Sequence, residues 1–336
     1  MKVFIKGILA IALVVSVLIV PKSFYKELNT DEITDEMYKR REKYFYGVIN
    51  LWQIDSFEGG TGSRANWLKN ICSGFEKRNN GVYINVESVS VEMAVKLIKS
   101  GQKKPDMISY GAGVFFEEDY FEILDIGNNI DVTAQENAVP WCMGAYFMIG
   151  DILKENWGID GGIVKTKKGE KEKFSVGVPQ REGHNGEYAL LKNCENNFDG
   201  EYALYKGSSQ EIFEAYNYSQ KVKRMVGTQR DLYRLQSLEK RELARKGDVL
   251  FLGMTDLFQY VSVFKCEDEK KLKTIKGFID YLIESSQQDK LGSIGMFPVN
   301  FEAEPQYENL YMQNAWQEIK NNGIECITEH LIKEET

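Results

Sequence analysis

Histidine is nearly missing. His184 and His330 are the only two in 336 residues, and they lie far apart in sequence. Imidazole-built metal centres need more than that, so no metal is expected and each histidine reads as a surface residue. No Gly-x-Ser-x-Gly, His-Glu-x-x-His or cysteine–histidine signature occurs either. No catalytic residue and no cofactor are therefore expected. Cysteine is sparse and scattered: Cys72, Cys142, Cys194, Cys266 and Cys326, with no Cys-x-x-Cys. An odd count leaves at least one thiol free unless chains pair, and the spacing gives no disulfide framework. Buried cysteines acting as small apolar residues are the expectation.

Basic charge is also in deficit. The net charge is −8, and three lysines (Lys2, Lys6, Lys22) fall in the first 23 residues with no acid beside them, so the remainder is more acidic still. Such a body repels polynucleotides, and a nucleic-acid partner is excluded. With 43% apolar residues the chain can fill a core, and disorder is not its character. Its length exceeds the usual size of one core, which makes two lobes the default.

Residues 1–23 carry a targeting pattern. Lys2 and Lys6 precede Gly7–Val20, an apolar stretch broken only by Ser16. That length lies between a signal-peptide core and a full membrane span. No small-x-small cleavage pattern follows, and no cysteine stands ready for lipidation. Either an uncleaved anchor or a cleaved signal peptide puts the rest of the chain outside the cytoplasm. Residues 24–43 are polar and charged, a stalk before the body begins.

The body opens as strand, helix, strand, helix, strand. Val48–Trp52 is a short apolar run. It leads to the glycine-rich Phe57–Arg64, where Ser63 caps a helix with Trp67, Leu68, Ile71, Cys72 and Phe75 on one side. Val82–Val89 reads as a strand, Ser90 as a second cap, Gly101 as a helix stop and Pro105–Tyr110 as a third strand. This order implies a parallel sheet. Further on, Ala145–Ile149 is apolar, Asp151–Trp157 reads as a short helix and Thr166–Lys173 as a polar loop. Ile212–Met225 reads as one helix, and Leu272–Ser285 as an amphipathic helix. Leu257–Phe264 fits helix or strand.

Glycine-rich loops after strands line ligand crevices in α/β folds. The loop at 59–64 lacks the phosphate-binding pattern, so it reads as a crevice mouth or as plain turn chemistry. Trp52, Tyr110 and Trp141 fall at or near strand ends, with Asp55, Glu58, Arg64 and Gln229 as polar companions. Aromatic faces edged by polar groups suit a sugar; the same rings serve equally well as core. The acidic run Glu117-Glu118-Asp119 reads as a solvated face. A glycan hydrolase needs two carboxylates about 5–10 Å apart across a cleft, and no such pair stands out.

Four segments resemble the extracellular solute-binding proteins of bacterial ABC importers, of the carbohydrate-type group that includes maltose-binding protein. They are Val48–Trp52 with Phe75-Glu76-Lys77, Pro105–Ile108, Val139-Pro140-Trp141 through Gly150-Asp151 to Trp157-Gly158-Ile159, and Phe278–Leu291 with Gly295–Val299. The resemblance implies an α/β, two-lobed periplasmic-binding-protein-like fold with a hinge between lobes. Lobe 1 would span 44–141 plus 256–293, and lobe 2 would span 145–251 plus 299–336. Crossings would fall near Pro140–Gly144, Phe251–Thr255 and Ile294–Val299. It further implies a monomer, tethered through its N-terminus, that delivers a small solute, a sugar, to ABC permease subunits without making or breaking a bond. A membrane-anchored sensor or scaffold on the same fold is the alternative. Unlike many relatives, this chain has no lipid-accepting cysteine, and it carries Gly227-Thr228-Gln229-Arg230-Asp231 where the family often has glycine followed by tryptophan.

Overall fold

A computed structural model describes residues 44–54, 60–111, 113–114, 116–124, 130–132, 137–151, 173–180, 185–197 and 201–327. The targeting segment 1–23 and the stalk 24–43 lie outside the described residues. So do the expected helix at 151–157 and loop at 166–173, apart from Asp151 and Lys173. Among the described residues no helix is long and apolar enough to cross a membrane. Contacts divide the chain into residues 1–47 and 48–336, and only 44–47 of the first unit are described.

The larger unit is built on two five-stranded sheets. The first has the order β2 (Val82–Val89), β1 (Gly47–Ile54), β3 (Met107–Gly111), β11 (Phe258–Val263), β4 (Val139–Met143). The expected strand–helix alternation is present, and β1 and β3 run parallel. The sheet is mixed rather than parallel, because β11 is antiparallel to both β3 and β4. The cause lies in the chain path: β11 returns from the other sheet and must enter from the end where β3 finishes. Ser63 caps α1 (Arg64–Arg78), accepting from the Asn66 N–H at 3.2 Å, and Ser90 caps α2 (Val91–Lys99), accepting from Met93 at 3.3 Å. The five apolar residues assigned to one side of α1 are all buried.

The helices cover both faces. On one, α1 packs on α6 (Glu269–Ile283), with Phe75 meeting Phe278 edge-on at 5.4 Å and Trp67 stacked on Trp141 at 5.0 Å. On the other, Ala94 of α2 joins Trp52, Ile54, Ile108, Phe121 and Phe264.

The second sheet has the order β7 (Glu201–Gly207), β6 (Lys173–Pro179), β8 (Arg224–Thr228), β5 (Tyr146–Gly150), β9 (Asp248–Phe251). Here α3 (Gly186–Asn197) covers one face. The other packs against α4 (Ser209–Asn217), α5 (Gln229–Glu239) and α7 (Leu310–Asn322). The single helix expected over Ile212–Met225 is instead α4 followed by β8. The apolar spacing continues through Val222 and Met225, but Gln220 adopts φ +52°, a left-handed conformation that ends a helix. Leu257–Phe264 resolves as strand β11. Short β10 (Met254–Thr255) pairs in parallel with β12 (Glu325–Cys326).

Among the described residues the chain passes between the sheets three times. β4 leads to β5 through Gly144-Ala145, β9 leads to β11 through 252–257, and 295–299 leads on to α7. Gln288 ties β4, just before the first passage, to the third. Its buried amide donates to the carbonyls of Trp141 (2.9 Å) and Leu282 (3.0 Å) and accepts from the Val299 N–H (3.0 Å). Replacing Gln288 by leucine leaves three buried backbone groups unpaired, each costing about 1–3 kcal/mol. Gln288→Leu should therefore lose about 3 kcal/mol or more in urea unfolding; a loss below about 1 kcal/mol would show that the amide is dispensable.

Candidate functional site

Strand direction fixes which residues can meet a ligand. In the first sheet β1 and β3 end, β4 leaves and β11 enters at one end, with Phe258 opposite Met143 and Gln259 opposite Gly111. In the second, β5 starts at that passage. β8 ends beside it, with Thr228 opposite Tyr146, and β6 runs parallel to β8. The ends that face the crossings therefore hold Tyr110 and Gly111 on one side. On the other they hold Tyr146, Pro179, Thr228 and the N-termini of α3, α4 and α5.

A helix N-terminus attracts an anion, and each of these three already has one from the chain itself. Asp256, on the second crossing, accepts at Oδ2 from the Asn185 N–H (3.1 Å) and the Asn185 amide (2.7 Å) just before α3. It accepts at Oδ1 from the Tyr146 hydroxyl (2.7 Å). Glu211 of α4 accepts from the Ser208 N–H (2.8 Å), and Asp231 of α5 accepts from the Thr228 N–H (3.0 Å). The crevice between them, lined by Tyr146, Pro179, Gly186, Val226, Gly227 and Thr228, has a volume of ≈ 20 Å³. That is room for about one water.

On the first sheet Tyr110 and Tyr260 are directly opposite each other, with ring centroids 5.9 Å apart. Phe116 meets the Tyr110 ring edge-on at 5.5 Å, and the Tyr110 hydroxyl shares a 3.0 Å hydrogen bond with Ser262. Both tyrosines are partly exposed. Burial raises the phenol pKa of Tyr110 and, more strongly, that of Tyr260, so both stay neutral hydroxyls.

Of the residues marked in the sequence, Tyr110, near the end of β3, and Arg64, at the start of the helix after β1, are the described ones that are partly exposed. Three others are core. Trp52 is 1% exposed and packs under α2, with the Lys103 ammonium 5.7 Å from its ring. Trp141 is wholly buried in the middle of β4, its indole N–H donating to Ser109 Oγ at 3.0 Å. Gln229 is wholly buried too; its carbonyl oxygen accepts from the Ala145 N–H (3.0 Å), and its amide lies 3.6 Å from the Met296 sulfur. For the two tryptophans the cause is shared: a side chain within a strand points to a sheet face, and helices cover both faces here. Gln229 is instead the first residue of α5, and its contacts with Ala145 and Met296 of the first and third passages bury it. Arg64 is the half-buried first residue of α1, behind its serine cap. Asp55 and Glu58 lie outside the described residues, as do both histidines.

Tyr146, Asn185 and Asp256 went unmarked. Asp256 had a signal: it is the single acid in the otherwise apolar and neutral stretch from Val249 to Phe264. Burial raises its pKa above the ordinary 3.8, outweighing the three hydrogen bonds that favour its charge. The folded chain thus holds this proton more tightly than the unfolded one, and the contribution of Asp256 to stability falls as pH climbs from 3.8 through the raised folded value. A carbon-13 titration of the Asp256 carboxyl should give a midpoint above 3.8, and Tyr146→Phe, which removes a donor, should move it higher. A midpoint at or below 3.8 would refute the assignment.

No protein-family model matches this sequence, and no curated protein does. Solved structures do. Apo FutA2 from Synechocystis PCC6803 aligns at 12% identity over 83% of this chain and 97% of its own, with a TM-score of 0.51. Ferric iron-binding protein A from Mannheimia haemolytica, in an open conformation, aligns at 13% identity over 80% of this chain and 90% of its own, with a TM-score of 0.50. At such identity the likeness speaks for architecture alone: the chain has the two-lobed periplasmic-binding-protein-like fold, two α/β sheets joined by crossing strands.

Proposed function

We propose that this chain is an extracytoplasmic solute-binding protein that captures a neutral, hydroxyl-rich solute, a carbohydrate, between its lobes and hands it to an ABC permease. The lobes are taken as 44–141 with 256–293 and 145–251 with 299–336, and residues 1–23 as the membrane anchor or signal peptide. No bond is made or broken. The observation that carries this reading is the convergence of three crossings on one narrow band. Gly144 donates to the Leu257 carbonyl (2.7 Å) and accepts from Thr255 Oγ1 (2.7 Å), while Met143 and Phe297 exchange backbone hydrogen bonds of 2.9 Å. Lobes so joined pivot about this band, and a ligand that touches both stabilises the closed arrangement by its extra contacts.

The class of solute follows from charge. Carboxylates already at the N-termini of α3, α4 and α5 would repel a second anion. Tyr110 and Tyr260, both partly exposed, offer instead a neutral aromatic and hydroxyl surface, which suits the C–H faces and hydroxyl rims of a sugar. With Trp52 and Trp141 in the core, Tyr110 takes the stacking role.

Thermal unfolding against sugars, polyols, amino acids, citrate, sulfate and ferric iron tests this. Ferric iron is included because the Mannheimia neighbour is named for it. At a hundred times its dissociation constant a ligand adds about 2.7 kcal/mol. A sugar should raise Tm, and Tyr110→Ala should abolish the shift. A shift with an anion or ferric iron and none with any sugar would overturn the carbohydrate class and keep the binding role. No shift with any solute would favour a sensor or scaffold.

A further inference from the structure

The chain is acidic overall, with net charge −8, yet lysines gather at the end of the first sheet that lies away from the crossings. That end is where β1 and β3 start and β11 finishes, with Val263 opposite Met107. Between Glu92 and Asp106 the sequence holds Lys96, Lys99, Lys103 and Lys104 and no acid. Lys265 follows β11, and Lys270, Lys271 and Lys273 open α6. The two groups adjoin: the Phe264 N–H donates to the Asp106 carbonyl at 2.9 Å, and Lys271 pairs with the Asp106 carboxylate at 2.6 Å.

Local stability accounts for part of this. Lys96 and Lys99 lie in the last turn of α2, where the helix dipole favours a cation, and Lys103 pairs with Glu87 at 3.0 Å. Lys270 is the reverse case. It stands in the first turn of α6, where the dipole disfavours a cation, and Lys273 follows on the same side of the helix. The acids nearby are partly committed to the fold. Asp268 caps α6, accepting from the Lys270 and Lys271 N–H groups at 3.0 Å, and Asp106 holds Lys271, while Glu267 and Glu269 stay exposed. Lys99, Lys104, Lys265 and Lys273 are all exposed, and none forms an ion pair among the described residues.

The sheet itself is uncovered at this end. The Asn85 amide donates to the Asn50 side-chain oxygen at 3.3 Å, so Tyr83 and Val48, two residues earlier on each strand, share a sheet face. Ala94 of α2 covers that face further along, over Trp52 and Ile54. Tyr83 is left 61% exposed and Val48 51%. A tyrosine ring ringed by lysines matches the boundary of a bilayer, where aromatic rings sit at headgroup level and long cationic side chains reach phosphates. The path of the chain agrees. β1 is entered from this end, and the sequence upstream of it carries the apolar stretch Gly7–Val20.

We propose that this end of the first sheet docks on an anionic phospholipid surface, with the lysine ammoniums at lipid phosphates and Tyr83 among the headgroups. The proposal rests on the extracytoplasmic, N-terminally tethered placement proposed above and is independent of the solute. The eight residues of β1 then hold the strand-tip cleft about 26 Å from the lipid, clear of the headgroups.

Lysine acetylation of the full-length protein, read residue by residue by mass spectrometry, tests the docking. The protein is placed on vesicles of phosphatidylcholine alone or of equal parts phosphatidylcholine and phosphatidylglycerol. On the anionic vesicles Lys99, Lys104, Lys265 and Lys273 should react at least about threefold more slowly, and the protection should fade in concentrated salt. Lys221 and Lys246, exposed on the second sheet's side, should keep their rates. The double reversal Lys104→Glu with Lys265→Glu alters only exposed positions and should restore the rates of Lys99 and Lys273. Equal rates on both vesicles would overturn the docking, whatever the solute panel shows. Protection centred on Lys221 and Lys246 would overturn it by placing the lipid on another face. Equal slowing by soluble polyphosphate without vesicles would overturn it in favour of a general anion surface. Protection at the four lysines alongside a solute panel with no Tm shift would keep the docking and sink the solute-binding reading.

Discussion

The paired backbone of Met143 and Phe297 is the constraint from which the rest of the architecture follows. It ties the end of β4 to the third passage of the chain between lobes. Gln288 reaches from behind to the residues on either side, Trp141 and Val299. Gly144 then joins the first passage to the second through Leu257 and Thr255. Three strands of chain, far apart in sequence, are thus bound side by side, and each must leave one core and enter another within a few residues. One buried cluster lies under α2 in the first sheet and another under α3 in the second, while a third runs through the crossing itself, joining Met143 and Phe258 to Phe147, Phe297 and Trp316.

Much of this was readable in the residues, and the readable part has a common physical basis. Ser63 and Ser90 as caps, the buried side of α1, and the apolar runs at Val48–Trp52 and Ala145–Ile149 are all local. Each depends on contacts or hydrogen bonds within a few residues, which periodicity and capping chemistry register directly. What failed was non-local. Nothing near Trp141 reveals that Trp67 will stack on it from α1, or that Ser109 will take its indole proton. A tryptophan beside a predicted crossing therefore read as a ligand platform. Gln229 failed for the same reason, since its partners Ala145 and Met296 are 84 and 67 residues away. Tyr110 stands near the tip of β3, only partly buried and packed on Tyr260 and Phe116. The break at Gln220 was missed because the apolar spacing of a helix and that of a helix followed by a strand coincide over so short a span.

The carboxylates at the lobe-facing end join fold to function. Glu211 and Asp231 are within one turn of the helix starts they serve, ordinary helix-end stabilisation. Asp256 is different. It comes from the crossing itself and fastens that crossing to both β5 and α3 through Tyr146 and Asn185. The second passage is thereby anchored to the second sheet as far as Asp256, two residues before β11 begins at Phe258. Asp256 therefore serves two ends at once: it anchors the second crossing to the second sheet, and it places a buried acid beside that crossing. Under the solute-binding function proposed above, a substitution here would change the anchoring and the local charge together, so the two effects cannot be varied one at a time.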